Sequence, residues 1–216
     1  GMAIPFYIEL REQDMVALVT TAGSLGIAEQ FTRNRELLRY GIEKISPGPV
    51  ARQSYFTPYL AACIQRGDPE ALRIGAALVR LEEGVSGDGR VIARVRASQI
   101  LAEAAYLSKS TLRTLKETAG LMAGLPGQRM IVVFSDGFTM YESGGSLQTS
   151  EIDAVTGKAA RSGVAIYSIA TQGLQPPPLA NVAMRGGAAG PQLDGYVSAT
   201  KSDEENGMNA IASDTG

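Results

Sequence analysis

The chain has 216 residues, 44% hydrophobic and 19% charged, the composition of an ordinary globular protein rather than a disordered or fibrous one. Its net charge of −2 leaves no electrostatic footprint for nucleic acid or for an anionic membrane surface. With no histidine and a single cysteine, Cys63, Ser-His-Asp and Cys-His hydrolysis are impossible, and a zinc site with its usual ligands is nearly so.

Residues 4–11 read as the last turns of a helix and Arg11-Glu12-Gln13-Asp14 as the connection after it. Met15–Thr21 is an apolar strand, and Ile27–Phe31 is its antiparallel hairpin partner. The turn between them, Ala22-Gly23-Ser24-Leu25-Gly26, has the outline of a nucleophile elbow, but no base exists to serve it. Thr32 is placed to cap a helix running to Ile45, with Leu37, Leu38, Ile42 and Ile45 on one face. Ser46-Pro47-Gly48-Pro49 stops that helix. Asp68-Pro69-Glu70 is a strong helix start, and the helix it opens ends near Gly84.

From Arg90 to Met122 a single helical pattern persists, carried by Val91, Val95, Ala102, Ala105, Leu112, Leu115, Ala119 and Met122. At ~1.5 Å per residue such a helix is roughly 50 Å long. The stripe is either core or, more sharply, a coiled-coil or dimer seam. Leu125-Pro126-Gly127 ends it. Arg129–Phe134 follows as a strand apolar on both faces, the pattern of a parallel sheet covered on both sides by helices. Ligands in such sheets sit beyond the carboxyl ends of the strands, where Asp136 falls. Ser150 and Asp153 open the next helix, Gly163 closes it, and Val164–Ala170 is a second strand of parallel type. A loop rich in Pro and Gly follows, and Ser202 with Glu205 opens a final short helix containing Met208 and Ile211.

No segment approaches the ~18 apolar residues of a membrane span. Gly1-Met2 reads as a tag remnant, so a missing leader says nothing about the native product. The expected architecture is an α/β fold: a three-layer α/β/α domain with a doubly wound, mostly parallel sheet and the antiparallel hairpin at one edge.

Five motifs occur in a fixed order: Gln30-Phe31-Thr32-Arg33-Asn34-Arg35-Glu36-Leu37-Leu38, Leu125-Pro126-Gly127-Gln128-Arg129, Phe134-Ser135-Asp136-Gly137-Phe138, Gly163-Val164-Ala165-Ile166-Tyr167 and Ile211-Ala212-Ser213-Asp214-Thr215-Gly216. Together they resemble the von Willebrand factor A-related domains of acidobacterial type. The resemblance implies one domain over 1–216, lacking its first and last strands, with a helical insertion at 47–96. It also implies an Mg²⁺ site at the top of the sheet, in which Asp136 matches the last ligand. The family's Asp-x-Ser-x-Ser motif is missing, and for the family's Thr ligand only Thr57 lies in the right interval, with no motif around it. Asp136 therefore reads either as a metal ligand, which suits the hard Mg²⁺ ion, or as a strand-end turn carboxylate.

The function the resemblance implies is recognition of a protein ligand, in an extracytoplasmic setting. Phe138, Thr139, Met140 and Tyr141 then belong to the partner-binding loop, as exposed anchors. The alternative is that this loop folds back on its own apolar residues. A structural or assembly role is a second reading, with self-association through exposed sheet edges or the long helix. With the first strand missing, the 15–21 and 129–134 strands are expected to pair directly or through a second copy. A metal-assisted hydrolase is the least supported reading, because only Asp136 stands at a strand end and no catalytic residue can be named.

Overall fold

The computed structural model describes residues 11, 13–21, 30–45, 56–84, 87–135, 137–141, 149–171 and 190–215. Asp136 and residues 22–29, 142–148 and 172–189 lie outside them. The chain divides into two compact units, Gly1–Gln53 and Ser54–Gly216.

In the first unit the described part of the expected hairpin holds one antiparallel bridge, Val16 with Thr32, closed by two 2.9 Å backbone hydrogen bonds, while its turn and residues 27–29 lie outside the described residues. Residues 15–21 form no strand. Helix α1 covers Arg35–Lys44. Its cap is Asn34, whose Oδ1 accepts from the amides of Glu36 and Leu37, while Thr32 Oγ1 accepts from the Asn34 amide. Of the expected apolar face only Leu38 is buried, and Ile42 and Ile45 are exposed.

The second unit contains α2 (Pro58–Gln65), α3 (Pro69–Glu83), α4 (Arg90–Met122), β1 (Arg129–Ser135), α5 (Thr149–Ser162), β2 (Val164–Ala170) and α6 (Gly190–Ser213). Local chemistry accounts for most boundaries. Thr57 caps α2 through a 3.2 Å bond from the Leu60 amide, with Pro58 in the first turn. Asp68 Oδ1 accepts from the amides of Glu70 and Ala71, and Gly84 ends α3 in the left-handed conformation. Past α4, Arg129 Nη1 donates to the carbonyls of Ala123 and Leu125, which satisfies acceptors that the helix end leaves open.

The core contains Phe56, Leu60, Ile64, Ile74, Val79 and Leu101, packed between α2, α3 and α4. The stretch 47–96, expected as an insertion, thus supplies most of it. The long helix forms at the expected length, but its buried face differs in the first half. Ala93, Ala97 and Leu101 are buried there, whereas Val91 and Val95 are 67% and 53% exposed and Ala102 is exposed. Alanine is the better occupant at this crossing, because a short side chain lets α2 and α3 approach the α4 backbone closely. From Ala105 onward the expected positions Leu112, Leu115, Ala119 and Met122 are buried, facing α5.

The doubly wound sheet is not what forms. Among the described residues the second unit has one sheet of two parallel strands, β1 and β2, in register from Arg129 with Val164 to Ser135 with Ala170. The other elements described in the unit are all helices, so the three-layer α/β/α architecture is overturned. The strand expected at 15–21, on which a pairing with 129–134 depended, does not form either. Nor is β1 covered on both faces: its residues alternate between half-buried and exposed. Helices α5 and α6 pack against β2, whose Val164 and Ile166 are buried. Thr215 Oγ1, just past α6, accepts from the Ile166 amide at 3.1 Å. The opposite sheet face has no helix layer among the described residues. A run apolar at every position shows that both faces are greasy; it does not show that both are covered.

Candidate functional site

The carboxyl end of β1 is the place to look first. Ser135 Oγ accepts from the Gly137 amide at 3.1 Å, turning the chain out of the strand. Gly137 has φ +105°, open to glycine and strained for any other residue. A Cβ there would meet Glu204 Cβ on α6 at 2.5 Å, and one on Gly207 would meet the Phe138 carbonyl oxygen at 2.9 Å. Two missing side chains therefore let residues 137–141 lie directly on α6.

That placement decides the expected partner-binding loop. Phe138, Thr139 and Tyr141 are buried, at 7%, 5% and 6% exposure, and Met140 is half-buried. They are not exposed anchors; the loop folds back on apolar neighbours. The physical reason is a polar clip on either side of it. Ser108 Oγ of α4 donates to the Thr139 carbonyl at 2.8 Å. On the other side, Asp203 of α6 accepts from Thr139 Oγ1 at 3.2 Å and from the Met140 amide at 3.4 Å. Burial raises the Asp203 pKa, against the bonds from Met140, Thr139 and Tyr141 that favour its charge.

Around Tyr141 lie two further tyrosines. The rings of Tyr59 and Tyr141 meet edge-on with centroids 6.1 Å apart, and Tyr196 tilts against Tyr59 at the same distance. The Arg66 guanidinium stands 5.8 Å above the Tyr141 ring and donates to the buried Cys63 Sγ at 3.2 Å. Desolvation first, then the Asp203 charge, pushes the Tyr141 phenol up to about 12. Desolvation and then Asp68 do the same to Tyr196. A phenol raised above its ordinary value of 10.0 contributes stability that is intact below pH 10 and fades as pH climbs through about 12. In an alkaline titration followed by phenolate absorbance, part of the tyrosine signal should rise only near pH 12. The double variant Tyr141→Phe/Tyr196→Phe should lack that late part; an unchanged curve would mean that Tyr141 and Tyr196 are not the buried phenols.

The metal reading finds little support in the geometry. Asp136 lies outside the described residues. Among the described residues no group of three or more His, Cys, Asp or Glu side chains could hold a metal ion. Asp203, a carboxylate held against the loop that follows β1, is committed to Thr139 and Met140. Thr57, the residue in the right interval for a threonine ligand, is a buried helix cap. Among the described residues, then, no donor set fits Mg²⁺.

What the sequence reading missed is the open sheet face. In a parallel ladder, residues in register point to the same side. Met130, Val132 and Phe134 therefore share a face with Ala165, Tyr167 and Ile169. Met130, Val132, Phe134 and Tyr167 are 50%, 38%, 48% and 49% exposed. The signal is present in the sequence as an unbroken apolar run, but hydropathy alone places such a run in the interior.

Compared with known proteins, the chain matches no family model, no curated protein and no solved structure. Among the described residues no helix is long and apolar enough to cross a membrane.

Proposed function

We propose that this chain is a protein-interaction module that docks its partner on the outer face of the β1–β2 sheet. The observation that carries the proposal is a single face bearing Met130, Val132 and Tyr167, each more than a third exposed. Monomeric proteins rarely leave contiguous apolar patches above a few hundred Å² uncovered, and those that do generally use them. Catalysis is the weaker reading, because no histidine exists and no described carboxylate cluster stands ready for acid–base work.

The six residues on this face, Met130, Val132, Phe134, Ala165, Tyr167 and Ile169, carry no charge. The proposed partner is accordingly a protein surface that is apolar and uncharged at its centre, with an acceptor for the Tyr167 hydroxyl at its rim. The resemblance to von Willebrand A-related domains supports protein recognition and an extracytoplasmic location, and it is the sole support for an Mg²⁺ ion on Asp136. Self-association through this same face is a special case of the proposal, in which the partner is a second copy.

Peptides selected by display on the protein test it. They should be apolar and low in charge, and should bind Val132→Glu/Tyr167→Glu at least about tenfold more weakly. Both substituted positions are on the surface, so folding should change by no more than about 0.5 kcal/mol each. Leu121→Glu, on the exposed side of α4, should leave binding intact. Binders indifferent to the double variant would overturn the assignment. Light scattering at several concentrations identifies the self-association case, because the double variant would then revert to monomer.

A further inference from the structure

We propose that the cleft between α3 and the start of α4 is an anion site that takes a phosphate monoester. The cleft has a volume of ≈350 Å³ and is lined by Arg73, Ala76, Arg80, Gly87, Asp88 and Arg90. It is independent of the sheet face.

The sequence builds this cleft in three steps. Arg73 and Arg80 are seven residues apart on α3, within about 20° of the same side after two turns. Ala76 lies between them and leaves the floor low. Gly89, the residue before α4, then allows a close approach: a Cβ there would stand 2.7 Å from the Ala76 carbonyl oxygen. Helix α4 thus begins against the floor of the cleft, with Arg90 as its first residue.

The charge balance leaves donors to spare. Glu70 occupies Nε and Nη2 of Arg73, at 2.9 and 2.6 Å, and Gln192 Oε1 shares Nη2 at 3.0 Å. Asp88 Oδ1 accepts from the Arg90 amide at 3.1 Å and sits 3.8 Å from Arg90 Nε. Arg80 gives only its Nε, to the Ala76 carbonyl at 3.2 Å, and forms no ion pair among the described residues. Nη1 of Arg73 and both Nη atoms of Arg80 and Arg90 therefore have no protein acceptor among the described residues. Three guanidinium groups against Asp88 in the lining and Glu70 beside it leave an excess of one positive charge, carried by Arg80.

A planar guanidinium fork matches two oxygens of a phosphate, which is why arginine is favoured wherever that group is bound. The positive end of a 33-residue helix adds to the same field. The volume exceeds that of inorganic phosphate and leaves room for a small ester substituent. Ala76 is the only apolar side chain in the lining, and no aromatic ring is among the lining residues to hold a nucleobase. The recognised group is the phosphate itself.

The test is a titration of the whole protein with inorganic phosphate and with phosphoserine at low ionic strength, followed by the arginine Nε–H and backbone amide signals in NMR spectra. Saturable shifts should appear on Arg73, Arg80 and Arg90. Affinity should be higher at pH 8 than at pH 5, where the second phosphate proton is on, because the arginines do not titrate between them. Arg80→Gln/Arg90→Gln should weaken binding by about tenfold or more, whereas Lys109→Gln, on the exposed side of α4, should not. The absence of saturable shifts, or equal binding by the double variant and the Lys109 variant, would overturn the proposal.

Discussion

Leu101→Ala should lower the unfolding free energy of the second unit by about 2–5 kcal/mol, while Leu121→Ala should change it by less than about 0.5 kcal/mol. The two leucines belong to the same helix and differ only in what surrounds them. Leu101 is completely buried at the crossing of α2, α3 and α4, whereas Leu121 is 75% exposed. Truncating Leu101 removes its apolar contacts and leaves a cavity between helices whose positions are fixed by Ala93, Ala97 and Ala71, which are themselves fully buried and cannot close around it. Urea unfolding reads the difference: the midpoint falls for Leu101→Ala at constant slope, because the surface exposed on unfolding is unchanged. Equal effects of the two substitutions would mean that α4 presents a different face to α2 and α3.

This pair also marks where sequence reading succeeds and where it stops. Punctuation was legible. Asp68-Pro69 and Gly84 bound α3, and Gly163 closes α5, because caps and left-handed glycines act within one turn of chain and depend on nothing remote. The two strands were legible for the same reason, as β-branched runs between turn signals. Facing was not. In the first half of α4 the valines outrank the alanines in hydropathy, and a reading by hydropathy chooses Val91 and Val95. The folded chain buries Ala93 and Ala97 instead, because close helix approach rewards small side chains, and the partner helices decide that. The same gap explains the sheet. Val132 and Phe134 were expected to be covered because they are apolar, but cover depends on elements that lie far away in sequence. Asp203 gave no signal at all, being one acid in the polar run Lys201-Ser202-Asp203-Glu204-Glu205. Only the fold brings it to Thr139 and Met140, and with them it turns an expected recognition loop into a buried one.

Gly137→Ala should be the most damaging of the glycine substitutions near the sheet, at about 2–4 kcal/mol, and a series of three separates the causes. Gly124 has ordinary backbone angles and nothing within 4 Å of a built Cβ, so Gly124→Ala should lie within about 0.5 kcal/mol of the wild type. Gly127 has φ +89° with the same open space, so its alanine variant should cost about 1–2 kcal/mol of backbone strain alone. Gly137 combines φ +105° with a Cβ position 2.5 Å from Glu204 Cβ and 3.3 Å from the Glu204 Cα and carbonyl carbon. A helix backbone cannot yield as a flexible side-chain tip can, so α6 must shift away from the strand end. That shift also stretches the bonds from Thr139 and Met140 to Asp203, one residue along the same helix. Gly137→Ala and Asp203→Ala should therefore be less than additive, since each removes part of what the other disturbs. Chemical denaturation of the four single variants and the double variant measures all of these terms. If Gly137→Ala costs no more than Gly127→Ala, α6 does not lie against the end of β1. The buried position of Phe138, Thr139 and Tyr141 would fall with it, and their candidacy as exposed anchors would reopen.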